Sequence, residues 1–239
     1  MSLRQAIKQH APWLVSGYSY VCWNLIIRPR WRRLGMEGVF TEHYRRNCWG
    51  NPESPSGDGA TLEQTQAIRQ ALPDLVRSYG IHSLLDIPCG DFNWMKLLDL
   101  PVEYVGADIV PELVAANQQC FGSHSRRFVK CNLTSDPLPC VDLILCRDCL
   151  VHLSLRDVRH ALANIKRSGS RFLLTTTHNQ VHTNNDIVTG EWRRLNLEAA
   201  PFFLPPPSLL IDEKCSNPYA PDKYIGFWQI DEIPLHRML

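Results

Sequence analysis

Short apolar runs alternate with amphipathic stretches along most of this chain. The apolar runs predict strands near residues 82–87, 102–107, 127–131, 141–146 and 171–176, and further strands at 209–211 and 224–230. Helical spacing predicts helices at 61–79, 92–99, 111–121 and 154–167, the first kinked or split at Pro73. Strands and helices that alternate in this way predict a mostly parallel sheet with right-handed crossovers.

Acidic residues end the first two predicted strands. Asp86 closes one apolar run, and Asp108 closes the next, 22 residues later. A turn, Pro88-Cys-Gly-Asp91, leads from the first strand toward the following helix. In an open α/β sheet, ligands bind outside the carboxyl ends of the strands. This pattern predicts a site for a cofactor that contains adenosine.

The turn after the first strand lacks glycines that a dinucleotide site requires. With Gly90 as the middle glycine, the two flanking positions of the fingerprint are Pro88 and Asn93. A diphosphate would therefore meet a proline ring and the carboxylate of Asp91. The turn favours a cofactor without phosphates, such as S-adenosylmethionine (SAM), whose sulfonium and ammonium groups carboxylates attract. A Rossmann enzyme that uses NAD or a nucleotide sugar remains an alternative.

The motif Asp86-Ile-Pro-Cys-Gly-Asp91 resembles the first motif of class I SAM-dependent methyltransferases. A narrower similarity, to a subgroup of small methyltransferases with an undefined acceptor, covers residues 39–230. Its matches include Trp49-Gly50, Cys146-Arg-Asp-Cys-Leu-Val-His-Leu153 and Asp222-Lys-x-Ile-Gly-Phe-Trp228. The resemblance implies a Rossmann-like α/β fold, a seven-stranded, mostly parallel sheet with an antiparallel closing strand. It also implies methyl transfer from SAM to an oxygen or nitrogen nucleophile.

The resemblance assigns cofactor contacts to the carboxyl ends of the strands. In the family, the acid at the position of Asp108 holds the ribose hydroxyls, and a turn at the position of Asn132 brackets the adenine, whose amine Asn132 would meet through its side-chain oxygen. Asp86 and Asp108 could instead cap helices, and Asp91 could stabilise a helix dipole. The predicted cofactor-binding residues are Asp86, Pro88, Cys89, Gly90, Asp91, Asp108, Ile109, Asn132, Leu133 and Cys146.

The segment after the fourth strand carries the candidate catalytic residues. Asp148 and His152 are four residues apart, so a helical turn would place them on one face, with Asp148 orienting His152 as a base. His152 could instead pack under the cofactor. Arg147 could bind an anionic acceptor or pair with Asp148. Trp192 and Arg193 belong to a long polar loop that follows Thr177 and precedes Pro201. Together with Arg147 they are candidate acceptor contacts, because binding residues concentrate on such loops.

The same loop contains His178, His182, Asp186 and Glu191. Such a set could hold a divalent metal. No ligand spacing repeats within it, and the single Cys146-x-x-Cys149 pair has no second cysteine pair to complete a zinc site. We therefore expect no metal site.

The chain divides into three predicted regions. Residues 1–33 form an apolar and basic segment, residues 34–60 a lid over the cofactor, and residues 61–239 the methyltransferase domain. Glycine and proline predict no regular structure in the lid. Residues 11–27 carry no charge but are short for a membrane span. Residues 11–33 could contact a membrane surface, or they could pack on the domain as a helix. If they contact a membrane, the protein could be a non-catalytic, membrane-associated scaffold that binds SAM.

Composition limits the partners. The formal net charge is +1, so no overall field attracts nucleic acid, and we expect no nucleic-acid partner. The nine cysteines are scattered, which favours a reducing, cytoplasmic location, with membrane association through residues 11–33 as an addition. The expected acceptor is a small molecule or a glycan or lipid-linked compound. The sequence leaves the oligomeric state open.

Overall fold

The computed structural model describes residues 23–234, so predictions for residues 1–22 and 235–239 lie outside the described part. The described chain divides after Val39 into two units, and the second begins at Phe40. A π-helical turn, Trp23–Ile27, precedes helix α1, Arg28–Arg45, which contains a non-helical residue at Gly35. Among residues 23–234, no helix is both long and apolar enough to cross a membrane.

The second unit contains a seven-stranded sheet. Its strands are β1 (Ser83–Asp86), β2 (Glu103–Asp108), β3 (Arg126–Lys130), β4 (Leu143–Cys146), β5 (Phe172–His178), β6 (Leu209–Asp212) and β7 (Lys223–Gln229). The strand order is β3-β2-β1-β4-β5-β7-β6. Strands β1 to β5 pair in parallel, whereas β7 pairs antiparallel to both β5 and β6. The predicted mostly parallel sheet with an antiparallel closing strand is confirmed.

Three helices connect or cover these strands: α2 (Gln66–Ser78), α3 (Pro111–Phe121) and α4 (Leu155–Arg167). The apolar stripe predicted for α2 is buried at Ile68, Leu72, Leu75 and Val76. Helix α4 begins as predicted at the N-cap Ser154, whose hydroxyl accepts a hydrogen bond from the Asp157 N–H. The strand order reverses direction between β1 and β4, and β2 lies on the other side of β1, so the carboxyl ends of these three parallel strands lie side by side.

Three predictions of local structure are wrong. Residues 92–99 form only a single 3₁₀ turn, Met95–Leu97, because Gly90 and Phe92 adopt positive φ and leave too few residues for an α-helix. Regular helix begins at Gln66 rather than at Thr61, and it runs through Pro73, so the split at Pro73 is wrong and a kink there stays a prediction. Helix α1 continues to Arg45, inside the segment 34–60 that was predicted to be irregular. Helix is possible there because most glycines and all prolines of the segment 34–60 follow residue 49.

Candidate active site at the carboxyl ends of the strands

The acidic residues that end β1 and β2 are both buried and face the same turn. The Tyr104 hydroxyl donates a hydrogen bond of 2.6 Å to Asp86 Oδ2. Asp108 accepts hydrogen bonds from the backbone N–H groups of Gly90 (3.2 Å) and Val110 (3.0 Å). The turn therefore closes directly onto the carboxylate of the second strand.

Burial changes the ionisation of both acids. Desolvation raises the pKa of Asp86 to about 7, although the hydrogen bond from Tyr104 opposes the rise. Desolvation likewise raises the pKa of Asp108 to about 6, against the backbone N–H groups of Val110 and Gly90. Two buried acids with raised pKa values beside one turn make this end of the sheet a candidate ligand site.

Residues 51–60 hold the outer side of this turn. The Ser56 hydroxyl accepts a hydrogen bond of 2.9 Å from the Asp91 N–H. A Cβ atom on Gly90 would lie 2.6 Å from Ser56 Oγ, and the φ of Gly90 is +54°, so this position requires glycine. The Asn93 amide donates to Glu53 (2.9 Å) and to the carbonyl of Ala60 (3.2 Å). Within residues 40–239, this segment therefore packs against the predicted cofactor turn.

Two asparagines on helices fix the loops at the strand ends. Asn117 of α3 donates a hydrogen bond of 2.7 Å to the carbonyl of Gly90. Asn164 of α4 donates to the carbonyls of Leu133 and Asp136, both at 2.8 Å. Both asparagines are buried. The turn after β1 and the turn after β3 are therefore held by side chains as well as by the sheet.

Asn132 is already engaged through its side-chain oxygen. That oxygen accepts hydrogen bonds from the Thr134 N–H (3.0 Å) and the Thr134 hydroxyl (2.8 Å). An amide oxygen has two acceptor sites, and both are used. The amide nitrogen of Asn132 has no hydrogen-bond partner among residues 23–234. This nitrogen could therefore donate to a ligand. The side-chain oxygen of Asn132, which was predicted to meet the adenine amine, already has two donors.

Four buried or half-buried charges form a closed ring at the end of β4. Arg147 Nε lies 2.8 Å from Glu213 Oε1, and Lys223 Nζ lies 3.0 Å from Glu213 Oε2. Asp148 Oδ2 lies 2.7 Å from Lys223 Nζ and 3.2 Å from Arg147 Nη1. Arg147 Nη1 also donates to the carbonyl of Gly59 at 2.6 Å. The ring therefore connects β4, the end of β6, the start of β7 and the segment before α2.

The ring determines what its members can do. Burial raises the pKa of Asp148, but the charges of Lys223 and Arg147 outweigh it and hold that pKa well below its usual range. Asp148 is thus an ionised partner of these cations. The charge of Arg147 is balanced within the ring, so the pairing alternative for Arg147 agrees with the geometry better than an anion-binding role.

His152 lies beside this ring in a 3₁₀ turn, Leu150–His152, and not in the helical turn expected between it and Asp148. Asp148 itself has a positive φ of 53°, which ends the strand geometry before that turn. The His152 Nδ1 atom lies 3.0 Å from the backbone carbonyl oxygen of Glu191. The carbonyl only accepts, so Nδ1 carries the proton and the neutral ring presents a lone pair at Nε2. Burial lowers the pKa of His152.

The polar loop after β5 lies across the ends of β4 and β5. The Arg193 N–H donates to the carbonyl of Val151 (3.1 Å), and the His178 N–H donates to the carbonyl of Leu195 (2.8 Å). Arg193 is 7% exposed, and its Nη1 donates to the carbonyls of Leu150 and Val151, both at 3.1 Å. Trp192 is exposed and stands edge-on to the ring of His178.

The predicted site residues fall into two groups. One group surrounds the turn after β1: Asp86, Pro88, Cys89, Gly90, Asp91, Asp108 and Ile109. The other lies at the end of β4, on the turn that follows it or, for Arg193, in hydrogen-bond contact with that turn: Cys146, Arg147, Asp148, His152 and Arg193. Cys146 is fully buried at the end of β4, and Leu133 is buried in the turn after β3. Of the four loop residues considered for a metal, Glu191 contributes a carbonyl to His152, and His182 and Asp186 are exposed.

Sequence reasoning missed several residues that shape the site. Tyr104, Asn117, Asn164 and Glu213 were not nominated. Tyr104 and Asn117 lie on the buried sides of β2 and α3, where a polar residue is unusual and is normally hydrogen-bonded. That single signal could have identified them, but not their partners.

No protein-family model matches the chain, and no curated protein matches it by sequence. Among solved structures, it is similar to 1,6-didemethyltoxoflavin-N1-methyltransferase from Burkholderia thailandensis, crystallised with 1,6-didemethyltoxoflavin and S-adenosylhomocysteine. The TM-score is 0.52 at 18% identity, over 81% of this chain and 86% of that chain.

Two further solved structures match more weakly. Magnesium protoporphyrin IX methyltransferase from Synechocystis PCC 6803 gives a TM-score of 0.44 at 15% identity, over 61% of this chain and 70% of that chain. The YcgJ protein from Bacillus subtilis gives 0.38 at 26% identity, over 46% of this chain and 50% of that chain. This chain thus spans only about half the length of some solved structures that it matches. With the strand order above, the Burkholderia match shows that the chain has the Rossmann-like fold of class I methyltransferases.

Proposed function

We propose that this protein is a SAM-dependent methyltransferase that transfers a methyl group to an oxygen or nitrogen nucleophile. The turn after β1 carries the proposal. A dinucleotide is normally held by free backbone N–H groups at the start of a helix. Here only a 3₁₀ turn lies between β1 and β2, and the N–H groups of Gly90 and Asp91 are already bonded to Asp108 and Ser56. The carboxylates of Asp91 and Asp108 would repel a diphosphate but attract a cationic cofactor.

The residues around the turn match the parts of SAM. Asp108 has accepting positions left beyond its two backbone hydrogen bonds, which suits two ribose hydroxyls. Among residues 23–234, the Asp91 carboxylate has no hydrogen-bond or ion-pair partner, which suits the ammonium of the methionine moiety. The Asn132 amide nitrogen would donate to a ring nitrogen of adenine. Pro88, Cys89, Ile109, Leu133 and Cys146 would supply apolar walls.

When bound, SAM supplies an activated methyl group on its sulfonium. The protein then has to align the acceptor, exclude water and remove a proton where the acceptor still carries one. His152 is the proposed base, because its neutral Nε2 can take the acceptor proton. Asp148 would act on His152 only through its charge, since its carboxylate is bound to Lys223 and Arg147.

Residues 51–60 support the proposed lid. They bond to the turn through Ser56 and to Asn93 through Glu53, and Arg147 holds the carbonyl of Gly59. Trp49 adds a ring whose centroid lies 6.1 Å from that of His152. A cover in this position would keep water from the reacting groups.

The competing function is a Rossmann enzyme that uses NAD, and direct binding distinguishes the two. In isothermal titration calorimetry of the full chain, we expect SAM and S-adenosylhomocysteine to bind and NADH not to bind. Tritium transfer from labelled SAM to a cell extract then tests catalysis. If SAM binds but no methyl group is transferred to any component of an extract, the non-catalytic scaffold becomes the better interpretation. If only NADH binds, the proposal is overturned.

The acceptor class, the cytoplasmic location and membrane contact through residues 11–33 remain predictions. A glycan or lipid-linked acceptor would agree with a membrane-surface location. Liposome flotation of the full chain, compared with a version that starts at Gly35, tests that contact. Equal flotation of the two would remove residues 11–33 as the anchor.

A further inference from the structure

Among residues 23–234, Arg193 is a buried cation without a counter-ion. Its side chain forms hydrogen bonds only through Nη1, to the carbonyls of Leu150 and Val151. The Nε and Nη2 atoms are buried and have no hydrogen-bond partner among residues 23–234. A guanidinium stays charged in proteins, and burying an unpaired charge is costly. The described part of the folded chain therefore does not compensate for the cost of burying the Arg193 guanidinium, which indicates a function for this side chain.

The acidic side chains of the same loop, Asp186 and Glu191, do not form an ion pair with Arg193. The carboxylate of Asp186 is bound to the N–H groups of Leu155 and Ile187. The Glu191 carboxylate accepts from the Val188 N–H. No carboxylate among residues 23–234 forms an ion pair with Arg193. Burial accordingly lowers the pKa of Arg193 to about 10, and the charge of Asp186 opposes this.

Arg193 lies at the reacting end of the sheet. Its own N–H and its Nη1 both bond to the turn that carries His152. The adjacent Trp192 is 43% exposed, so the segment that holds the buried guanidinium also borders solvent. By contrast, Arg147, the other arginine that is buried within the described part of the chain, has Glu213 and Asp148 as partners.

We propose that Arg193 binds an anionic group of the methyl acceptor, a carboxylate or a phosphate, through its Nε and Nη2 atoms. These two donors form the edge of the guanidinium that matches two oxygens of such a group. The acceptor is therefore an acidic molecule whose nucleophile lies near His152 when its anion is on Arg193. This inference rests on the proposed function, because it assigns the acceptor of the same site.

The carboxylate of the cofactor is the other source of such an anion, and binding measurements separate the two. S-adenosylhomocysteine carries a carboxylate, whereas 5′-methylthioadenosine lacks it. We expect Arg193→Gln and Arg193→Lys to bind both compounds as the wild type does. A loss of affinity for S-adenosylhomocysteine alone would assign Arg193 to the cofactor and overturn the proposal.

The direct test is thermal unfolding in saturating S-adenosylhomocysteine with added inorganic phosphate or acetate at constant ionic strength. The wild type and the matched control Arg156→Gln, an exposed arginine, should show a midpoint that rises with anion concentration. Arg193→Gln should bind the effective anion about 10- to 100-fold more weakly. Arg193→Lys, which keeps the charge and tests whether the fold survives, should lose less, because lysine lacks the planar fork.

The outcomes distinguish this inference from the proposed function. If S-adenosylhomocysteine does not bind, the proposed function fails. If it binds and neither anion raises the wild-type midpoint, or both Arg193 variants respond as the wild type does, the inference fails. Labelled product formed in an extract should also be retained on an anion-exchange resin, and a neutral or cationic product would overturn the inference.

Discussion

The Nδ1 atom of His152 lies 3.0 Å from the backbone carbonyl oxygen of Glu191. This contact sets the tautomer of the ring without a carboxylate, because a carbonyl can only accept. The polar loop thus orients a residue that belongs to the end of β4. The loop and the candidate base are therefore parts of one arrangement, although 39 residues separate them in the sequence.

His152→Ala should lower the rate of methyl transfer by about 10²- to 10⁴-fold, the usual contribution of a general base. The affinity for S-adenosylhomocysteine should not change. Burial lowers the pKa of His152 below its ordinary value of 6.5, so wild-type transfer should rise with pH only below that value and be flat above it. The control is His124→Ala, at an exposed position. Full activity in a folded His152→Ala variant would make His152 a packing residue.

Asp108→Asn should weaken binding of S-adenosylhomocysteine by about 1–3 kcal/mol, since a hydrogen bond to a charged group has this strength. 5′-Methylthioadenosine should lose the same amount, because both compounds carry the ribose. Asp91→Asn should weaken S-adenosylhomocysteine alone, because 5′-methylthioadenosine has no ammonium group. Calorimetry measures all four affinities, and equal losses in both variants for both ligands would contradict the assigned roles.

Asp86→Asn should stabilise the ligand-free protein at pH 8. The folded-state pKa of Asp86 is about 7, above its ordinary value of 3.8, so its contribution to stability is present below about pH 4 and is lost as pH rises through about 7. Asparagine can still accept from Tyr104 and has no charge to bury. We expect the free energy of unfolding to rise by about 1–3 kcal/mol at pH 8 and to change little at pH 4. Chemical denaturation at both pH values measures this, with exposed Asp99→Asn as the control.

Ser56→Ala should lower the free energy of unfolding by about 0.5–1.5 kcal/mol and weaken SAM binding, because the Asp91 N–H loses its acceptor. Ser123→Ala, at an exposed position, is the matched control. Denaturant unfolding and calorimetry provide the two measurements. If the two variants have the same stability and the same affinity for SAM, the hydrogen bond between Ser56 and the turn after β1 contributes to neither property.

Lys223→Met should destabilise the protein by about 3–5 kcal/mol, the usual effect of removing one partner from buried charges. Asp148 and Glu213 would then share the single charge of Arg147. Lys214→Met, at an exposed position, should have little effect. Denaturant midpoints compare the two, and a loss in Lys223→Met no larger than in the control would show that the ring contributes little.

The sequence by itself determined the strand positions and the acids that end β1 and β2. Apolar runs of this length bury both faces of a strand, so their periodicity reports the sheet directly. It did not determine how residues 92–99 fold. Two positive φ angles, at Gly90 and Phe92, shorten that segment to one 3₁₀ turn, and such local geometry depends on contacts with Asn117 and Ser56.

Only the tertiary structure decided how the charged residues pair. Arg147 and Arg193 are equivalent in the sequence as candidates for binding an anion. Folding brings Glu213, 66 residues away, to Arg147, whereas the partners of the Arg193 side chain within residues 23–234 are carbonyl oxygens alone. Long-range pairing depends on which strand ends meet, and no local pattern records it. The difference between a balanced charge and an unbalanced one therefore exists only in the folded chain.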